Sequence, residues 1–304
     1  MYFIRRLLLL LPLLLAISFL AFMLVHLAPG GPFDRERTPA SPEIERQIQA
    51  KYHLDQPLWK QYASYLGNLV RGDFGPSLKY RNHTVNDIIA QGLPVSLSLG
   101  ALAFGFTLGV GLPLGFYTAV RRGRWEDHAG SFLAVLVVCV PGFILAPLLI
   151  MGFAIHWQWF PVALWASPWH AVLPTIALGL YFSGRVARLF HEGMLEVMQS
   201  AFITAARAKG LGETALLLKH ATRLAILPVV SYSGPLLADL LTGSFVIESI
   251  FQIPGIGTAL VNGSLNRDYT LVVGLVVLYA ALLVFLNLVV DFFYVLLDRR
   301  VKHE

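Results

Sequence analysis

Residues 95–120 read VSLSLGALAFGFTLGVGLPLGFYTAV and run straight into Arg121-Arg122-Gly123-Arg124. The run carries no acidic or basic side chain. About 20 apolar residues in a helix cross the hydrocarbon of a bilayer, so this stretch reads as a membrane span with a basic stop. Composition extends that reading to the whole chain. Of 304 residues 56% are hydrophobic and 13% charged, with a mean hydropathy of +0.65. Soluble domains carry roughly 25% charged residues. The net charge of +5 is therefore read by topology and not as a nucleic-acid footprint. The single cysteine, Cys139, excludes an intrachain disulfide and a multi-cysteine metal site.

Working outward, five further apolar runs cover about 7–27, 129–155, 171–190, 228–250 and 270–297. The first follows Arg5-Arg6, is longer than a signal-peptide core and has no Ala-x-Ala site after it, so it reads as a retained span. Gly105 with Gly109, and Gly111 with Gly115, are small residues four apart, the spacing that lets helix backbones approach closely in lipid. Pro141-Gly142 and Pro147 predict kinks in the third run. Trp157, Trp159, Trp165 and Trp169 follow it as an interfacial aromatic belt, with an aromatic binding surface as the alternative.

Residues 29–94 are polar and too long for a plain loop, and are expected to form a small helical domain outside the membrane. Ser41-Pro42-Glu43 resembles a helix start, with Ile44, Ile48 and Tyr52 following at steps of four. A second helix is expected after Gln56-Pro57, with Trp59, Tyr62, Leu66 and Leu69 on one face. Gly72-Asp-Phe-Gly-Pro76 ends it, and Thr84 to Asp87 reads as the cap of a third short helix through Gln91. The fold expected is all-α, with six transmembrane helices: 1–28 as the first, 95–297 as the remaining five with a cytoplasmic loop at 191–227, and 298–304 as a tail.

Lysine and arginine set the orientation. With the N-terminus inside, the inner segments hold fourteen of the 23 basic residues, Arg185 and Arg188 counted with them. Eight more lie in the long outer segment, leaving Arg267 as the one in a short outer loop. Both termini are expected in the cytoplasm.

The sequence contains no phosphate-binding Gly-x4-Gly-Lys-Ser/Thr, no His-Glu-x-x-His and no Gly-x-Ser-x-Gly, so an enzyme reading has nothing to stand on. Three carboxylates lie in or near the spans: Asp239, Glu248 and Asp291. A charge at a helix centre costs roughly 2.5–3.5 kcal/mol on insertion scales and faces a cavity or a partner. Asp239, with Thr242 and Ser244 nearby, is a candidate for lining a pathway; a structural hydrogen bond is the equal alternative. Glu248 and Asp291 sit near span ends, where water is within reach.

On the cytoplasmic side, 194–209 lacks glycine and proline and is rich in alanine. A short helix is expected there, with Met198, Phe202 and Ala205 or Ala206 on one face and stops at Gly210 and Gly212. Arg207 and Lys209 suit its C-terminal end. Such a surface fits a helix docking into a groove, or equally an amphipathic segment lying on lipid headgroups.

Thr204-Ala205-Ala206-Arg207-Ala208-Lys209-Gly210 resembles the Glu-Ala-Ala…Gly motif of ABC-importer permeases, with Thr204 at the Glu position, His220 at the motif's Ile and Thr222-Arg223 at its Leu-Pro. The wider pattern is similar to the B-type permease of the oligopeptide/dipeptide group. It comprises Gly31-Pro-Phe, Lys51-Tyr-His-Leu-Asp-Gln-Pro57, Gly72-Asp-Phe-Gly-Pro-Ser77, Gly243-Ser-Phe-Val-Ile-Glu248, Ile253-Pro-Gly-Ile-Gly257 and Asn266-Arg-Asp-Tyr269. The resemblance implies a type I importer permease fold in a bacterial inner membrane. It implies a second permease subunit, two cytosolic ATPase subunits and an extracytoplasmic peptide-binding protein as partners, with no nucleic acid. Thr204, Ala205, Ala206, Arg207, Lys209 and Gly210 would couple to the ATPases. ATP and Mg would be held by those partners, and no cofactor by this chain. Competing expectations are another cargo (nickel, a haem-like compound or glutathione) or an ion-coupled secondary carrier.

Overall fold

The computed structural model describes residues 2–27, 56–80 and 83–297, with side chains placed for most of these. The expected helix around Ile44 and the tail at 298–304 lie outside the described residues, as do the side chains of Thr242 and Asp291. Among the described residues every regular element is a helix, apart from one isolated bridge between Pro76 and Thr84. The helices are α1 (Tyr2–Leu27), α2 (Leu58–Val70), α3 (Val85–Val120), α4 (Trp125–Cys139), α5 (Gly142–Leu149), α6 (Pro168–Met198), α7 (Ala201–Ala208), α8 (Glu213–Ala215), α9 (Thr222–Ala225), α10 (Leu227–Ile250), α11 (Ile256–Leu265) and α12 (Tyr269–Leu297). Ile150–His156 and Leu216–Ala221 are π-helical.

Two compact units divide the chain. The first comprises residues 1–95 and 254–284. In it α1 and α12 bury Phe22, Val273 and Val277 against Tyr62, Tyr65 and Leu69 of α2. The expected face of α2 is therefore right at Tyr62 and Leu69, but Tyr65 joins it, and Trp59 is exposed. The Gly72–Pro76 turn needs its glycines: Gly72 and Gly75 have φ of 78° and 88°, where a side chain is strained. Asn86 clamps the turn, accepting from Phe74 N at 2.9 Å and donating to the Gly72 carbonyl at 2.6 Å. The Thr84 cap forms as read, with Asp87 Oδ2 accepting from Thr84 N at 2.9 Å. What it caps is not a short helix. α3 continues through Pro94 to Val120, and Gly92 lets the backbone of Ile256 approach to where a Cβ would be 3.0 Å away.

The second unit comprises residues 96–253 and 285–304. α6 is its centre and packs against α4, α5, α9 and α10. Gly111 and Gly115 of α3 meet it: a Cβ at Gly111 would lie 2.8 Å from the Ser183 carbonyl, and one at Gly115 would collide with the Ala187 carbonyl. Among the described residues nothing lies within 4 Å of a Cβ at Gly105 or Gly109, so of the two pairs it is Gly111 and Gly115 that pack helices of this chain together. Pro141 breaks the third apolar run, and Trp125–Cys139 and Gly142–His156 diverge by 98°. Trp157 and Trp159 stack at 5.0 Å beyond that break.

Among the described residues three helices are long and apolar enough to cross a membrane: Val85–Val120, Leu227–Ile250 and Tyr269–Val289, or four if the bent pair is one span. Leu11–Leu27 and Ile256–Leu265 are shorter apolar helices. α6 is long but fails on apolarity, because Arg185, Arg188, Glu192 and Glu196 punctuate it.

Candidate coupling and pathway sites

The coupling segment differs from the sequence expectation in its breaks. α6 runs on to Met198; Gln199-Ser200 then interrupts the helix, and α7 is only Ala201–Ala208. Ile203 and Ala206 are buried, so Ala206 packs inward and does not present a docking surface. Phe202, Thr204, Ala205 and Lys209 are exposed, with Met198 on the preceding helix. Gly210, at φ 82°, ends the helix as expected.

Arg207, placed by the sequence at the C-terminal end of this helix, is held within the loop. Its Nη2 and Nε donate to Glu213 at 2.7 and 3.1 Å, a bidentate pair across the Gly210 turn. The Arg207 hydrogen bond, helped by its charge, holds the Glu213 carboxyl below its ordinary range. The far side of the loop is welded to α6. A Cβ at Gly193 would sit 2.6 Å from the Ala225 carbonyl, while Met194, Leu216 and Ala221 are fully buried. α6 is thus packed against the 216–225 end of the loop, on which α7 also packs.

The pathway candidates separate. Ser244 is buried and donates to the Leu241 carbonyl at 2.7 Å, so it satisfies its own helix and does not line a path. Glu248 is not in reach of water either: it is buried and accepts from Ser96 Oγ at 2.7 Å. Asp239 is exposed near the middle of α10. Beside it the structure brings up a group that sequence reading missed. Arg185 of α6 donates from Nη1 to Tyr232 Oη at 3.2 Å and lies over the rings of Tyr181 and Tyr232 at 5.8 and 5.9 Å. The signal was in the sequence: Tyr181, Arg185, Arg188 and Glu192 recur at steps of four, three and four, one helix face.

Two motifs that are 191 residues apart meet in the first unit. Asp268 is fully buried and accepts from Ser77 Oγ, from Leu78 N at 3.1 Å, from Lys79 N at 3.3 Å and, as the cap of α12, from Leu271 N at 3.2 Å. The Gly72–Ser77 and Asn266–Tyr269 motifs are two halves of one staple. Among the described residues no group of three His, Cys, Asp or Glu side chains is placed to hold a metal ion.

A helical core with a loop packed against it, and polar groups exposed along otherwise apolar helices, defines a subunit of a membrane transport pathway. The chain belongs to the family of binding-protein-dependent transport system inner membrane components, whose model matches residues 111–303, with the family's N-terminal model matching 1–100. It is 43% identical over 302 residues to the oligopeptide transport system permease protein OppB of Haemophilus influenzae, covering 98% of both chains. Identity to OppB of Escherichia coli K12 is also 43%, over 99% of both. The dipeptide transport system permease protein DppB of Bacillus subtilis is 43% identical over 99% of this chain and 97% of that one. In fold the chain is similar to the inward-facing MetNI methionine ABC transporter, at a TM-score of 0.60 and 19% identity over 70% of this chain and 97% of that one. The fold is thus the type I importer permease fold.

Proposed function

We propose that this chain is a permease subunit of an ATP-driven importer of oligopeptides or dipeptides, forming the path with a second permease subunit. The observation that carries the reading is full-length similarity at 43% to permeases named for those cargoes. Six spans with both termini in the cytoplasm agree with the split of basic residues among the short segments, which is twelve to one with Arg185 and Arg188 of α6 left out. In that orientation α7 faces the cytosol. Two ATPase subunits, which bind ATP and Mg, dock on the exposed Phe202–Thr204–Ala205 side of α7 and its counterpart. A peptide-binding protein delivers cargo at the outer face. Contacts that differ between the ATP-bound and ATP-free partners shift the path between outward- and inward-open populations. The lever runs through the 216–225 segment, against which α7 packs and which the buried Gly193–Ala225 contact ties to α6.

Copurification of the chain with its native partners tests this, followed by ATPase measurement with trialanine-loaded binding protein. Stimulated hydrolysis and ATP-dependent trialanine uptake are expected. Uptake that survives ATP depletion but collapses with the proton gradient would replace the importer by a secondary carrier.

A further inference from the structure

The exposed polar face of α6 and α10 has more chemistry than a water-filled wall requires. Along α6 it presents Tyr181, Arg185, Arg188 and Glu192; along α10, Ser231, Pro235 and Asp239 are exposed at steps of four. Arg185 lies about 20 Å of helix from the C-terminal end of α6, and Asp239 is near the midpoint of α10. On the reading of α6 and α10 as walls of the path, both lie away from the helix ends, where a charge faces water or a protein partner. A groove of about 330 Å³ beside Arg185 is lined by Arg188, Leu189, Glu192 and Tyr232.

The geometry of Arg185 suits one class of ligand. Its guanidinium is flanked by two tyrosine rings and tied to Tyr232 through one nitrogen, which fixes the plane of the fork. The exposed remainder of a planar, five-donor fork matches a carboxylate. A carboxylate of opposite charge, Asp239, acts on the same cluster electrostatically. A free peptide is a zwitterion with one carboxylate and one ammonium.

We propose that Arg185, held by Tyr181 and Tyr232, together with Asp239 forms a transit site for the charged ends of a peptide. Arg185 takes the C-terminal carboxylate and Asp239 the N-terminal ammonium. The site replaces the hydration that the termini lose on entering the path, and it holds them weakly because it is open on one side. The inference rests on the reading of α6 and α10 as walls of the path.

The test uses the complete transporter, reconstituted with its native partners in vesicles. Trialanine and trialanine C-terminal amide are the probes, each scored as variant over wild type so that affinity for the binding protein cancels. Arg185→Gln is expected to lower the trialanine ratio about tenfold, the order set by one charge-assisted hydrogen bond, and to leave the amide ratio near one. Arg185→Lys is expected to recover part of the loss. Equal losses for both probes, or no loss for either, overturn the transit site. A separate measurement guards the underlying reading: Ser231→Cys, in a Cys139→Ser background, is expected to react with a charged, water-soluble thiol reagent. Failure to label, with cross-linking to the second permease instead, makes the stripe a subunit interface and overturns both.

Discussion

Replacing Asp268 by Asn changes one atom in a buried carboxylate that serves four donors. Oδ1 accepts from Leu78 N and Leu271 N, and Oδ2 from Ser77 Oγ and Lys79 N. An amide keeps one acceptor and turns the other into a donor. Turned toward Leu78 and Leu271, the amide nitrogen orphans both of those N–H groups. Turned toward Ser77 and Lys79, it takes the acceptor from the serine hydroxyl, while Lys79 N keeps its bond to Ser77 Oγ at 3.2 Å. Either way the remaining bonds lose their charged partner. A buried donor left unsatisfied costs about 1–3 kcal/mol, so Asp268→Asn is expected to destabilise the staple by about 3 kcal/mol. Ser77→Ala removes the hydroxyl's bond to that carboxylate and the acceptor it offers Tyr80 N at 2.9 Å and Lys79 N at 3.2 Å. Lys79 N keeps Asp268 and Tyr80 is exposed, so the cost is expected at about 1.5 kcal/mol.

Amide hydrogen exchange over residues 74–80 reads this directly, because the staple opens as a local unit. At 1.4 kcal/mol per tenfold, exchange is expected to accelerate about 100-fold in Asp268→Asn and about tenfold in Ser77→Ala. The double variant decides the reasoning. If the hydroxyl and the carboxylate act on each other, it is expected to exchange little faster than Asp268→Asn alone. Acceleration of about 1,000-fold, the product of the two, would mean that the groups are energetically independent and that the two motifs are not one device.

Glycine packing gives a paired test: Gly115→Ala drives a Cβ into the Ala187 carbonyl and is expected to cost about 1–3 kcal/mol, while Gly105→Ala, with nothing near it, is expected within about 0.5 kcal/mol of wild type by denaturant unfolding in micelles. Ala205→Glu, on the exposed side of α7, is expected to abolish ATPase pull-down without lowering the amount of chain in the membrane; unchanged pull-down would refute the docking face. The Arg207–Glu213 pair has a defined pH sign. Because the Glu213 carboxyl is held below its unfolded value, the pair's contribution is complete above the ordinary carboxylate range of about 4 and is lost as pH falls through the lower folded value. A fluorescent probe at residue 211 is expected to show constant loop order at neutral pH and loosening only in acid, and Glu213→Gln is expected to show the loosened signal at every pH.

Much of the fold was legible because a bilayer leaves few options: long uncharged runs ending in arginines could only be spans. What escaped was partnership. Residues 105–109 and 111–115 have the same glycine spacing, and no one-dimensional pattern says which of them will find α6. The cap at Thr84 was correct, yet Pro94 did not stop α3, since a proline inside a long apolar helix removes one hydrogen bond without ending it. Ser244 and Glu248 were misplaced for a related reason. Polarity near a span suggests exposure, but Leu241 and Ser96 were at hand to satisfy them inside the protein. Arg185 was counted as a cytoplasmic charge because α6 was expected to end at about residue 190, and its helix in fact continues for two more turns.

The length of α6 is what links the coupling loop to the polar stripe. Had the helix ended at residue 190, α7 would hang on a flexible connection and its motion would dissipate there. Instead one helix carries Gly193, packed on Ala225, and Arg185, two turns earlier on the stripe. Thr204 stands where the general ABC-importer motif it resembles has a glutamate, so in the proposed docking an ion pair from that position to an ATPase is absent. The Arg207–Glu213 clamp offsets this by holding the loop itself in one shape, so that docking selects a preformed surface instead of ordering a flexible one. In the proposed docking, shape at Phe202 and Ala205 sets the grip on the ATPase. The packed end of α6 sets how faithfully the grip reaches the cluster at Arg185.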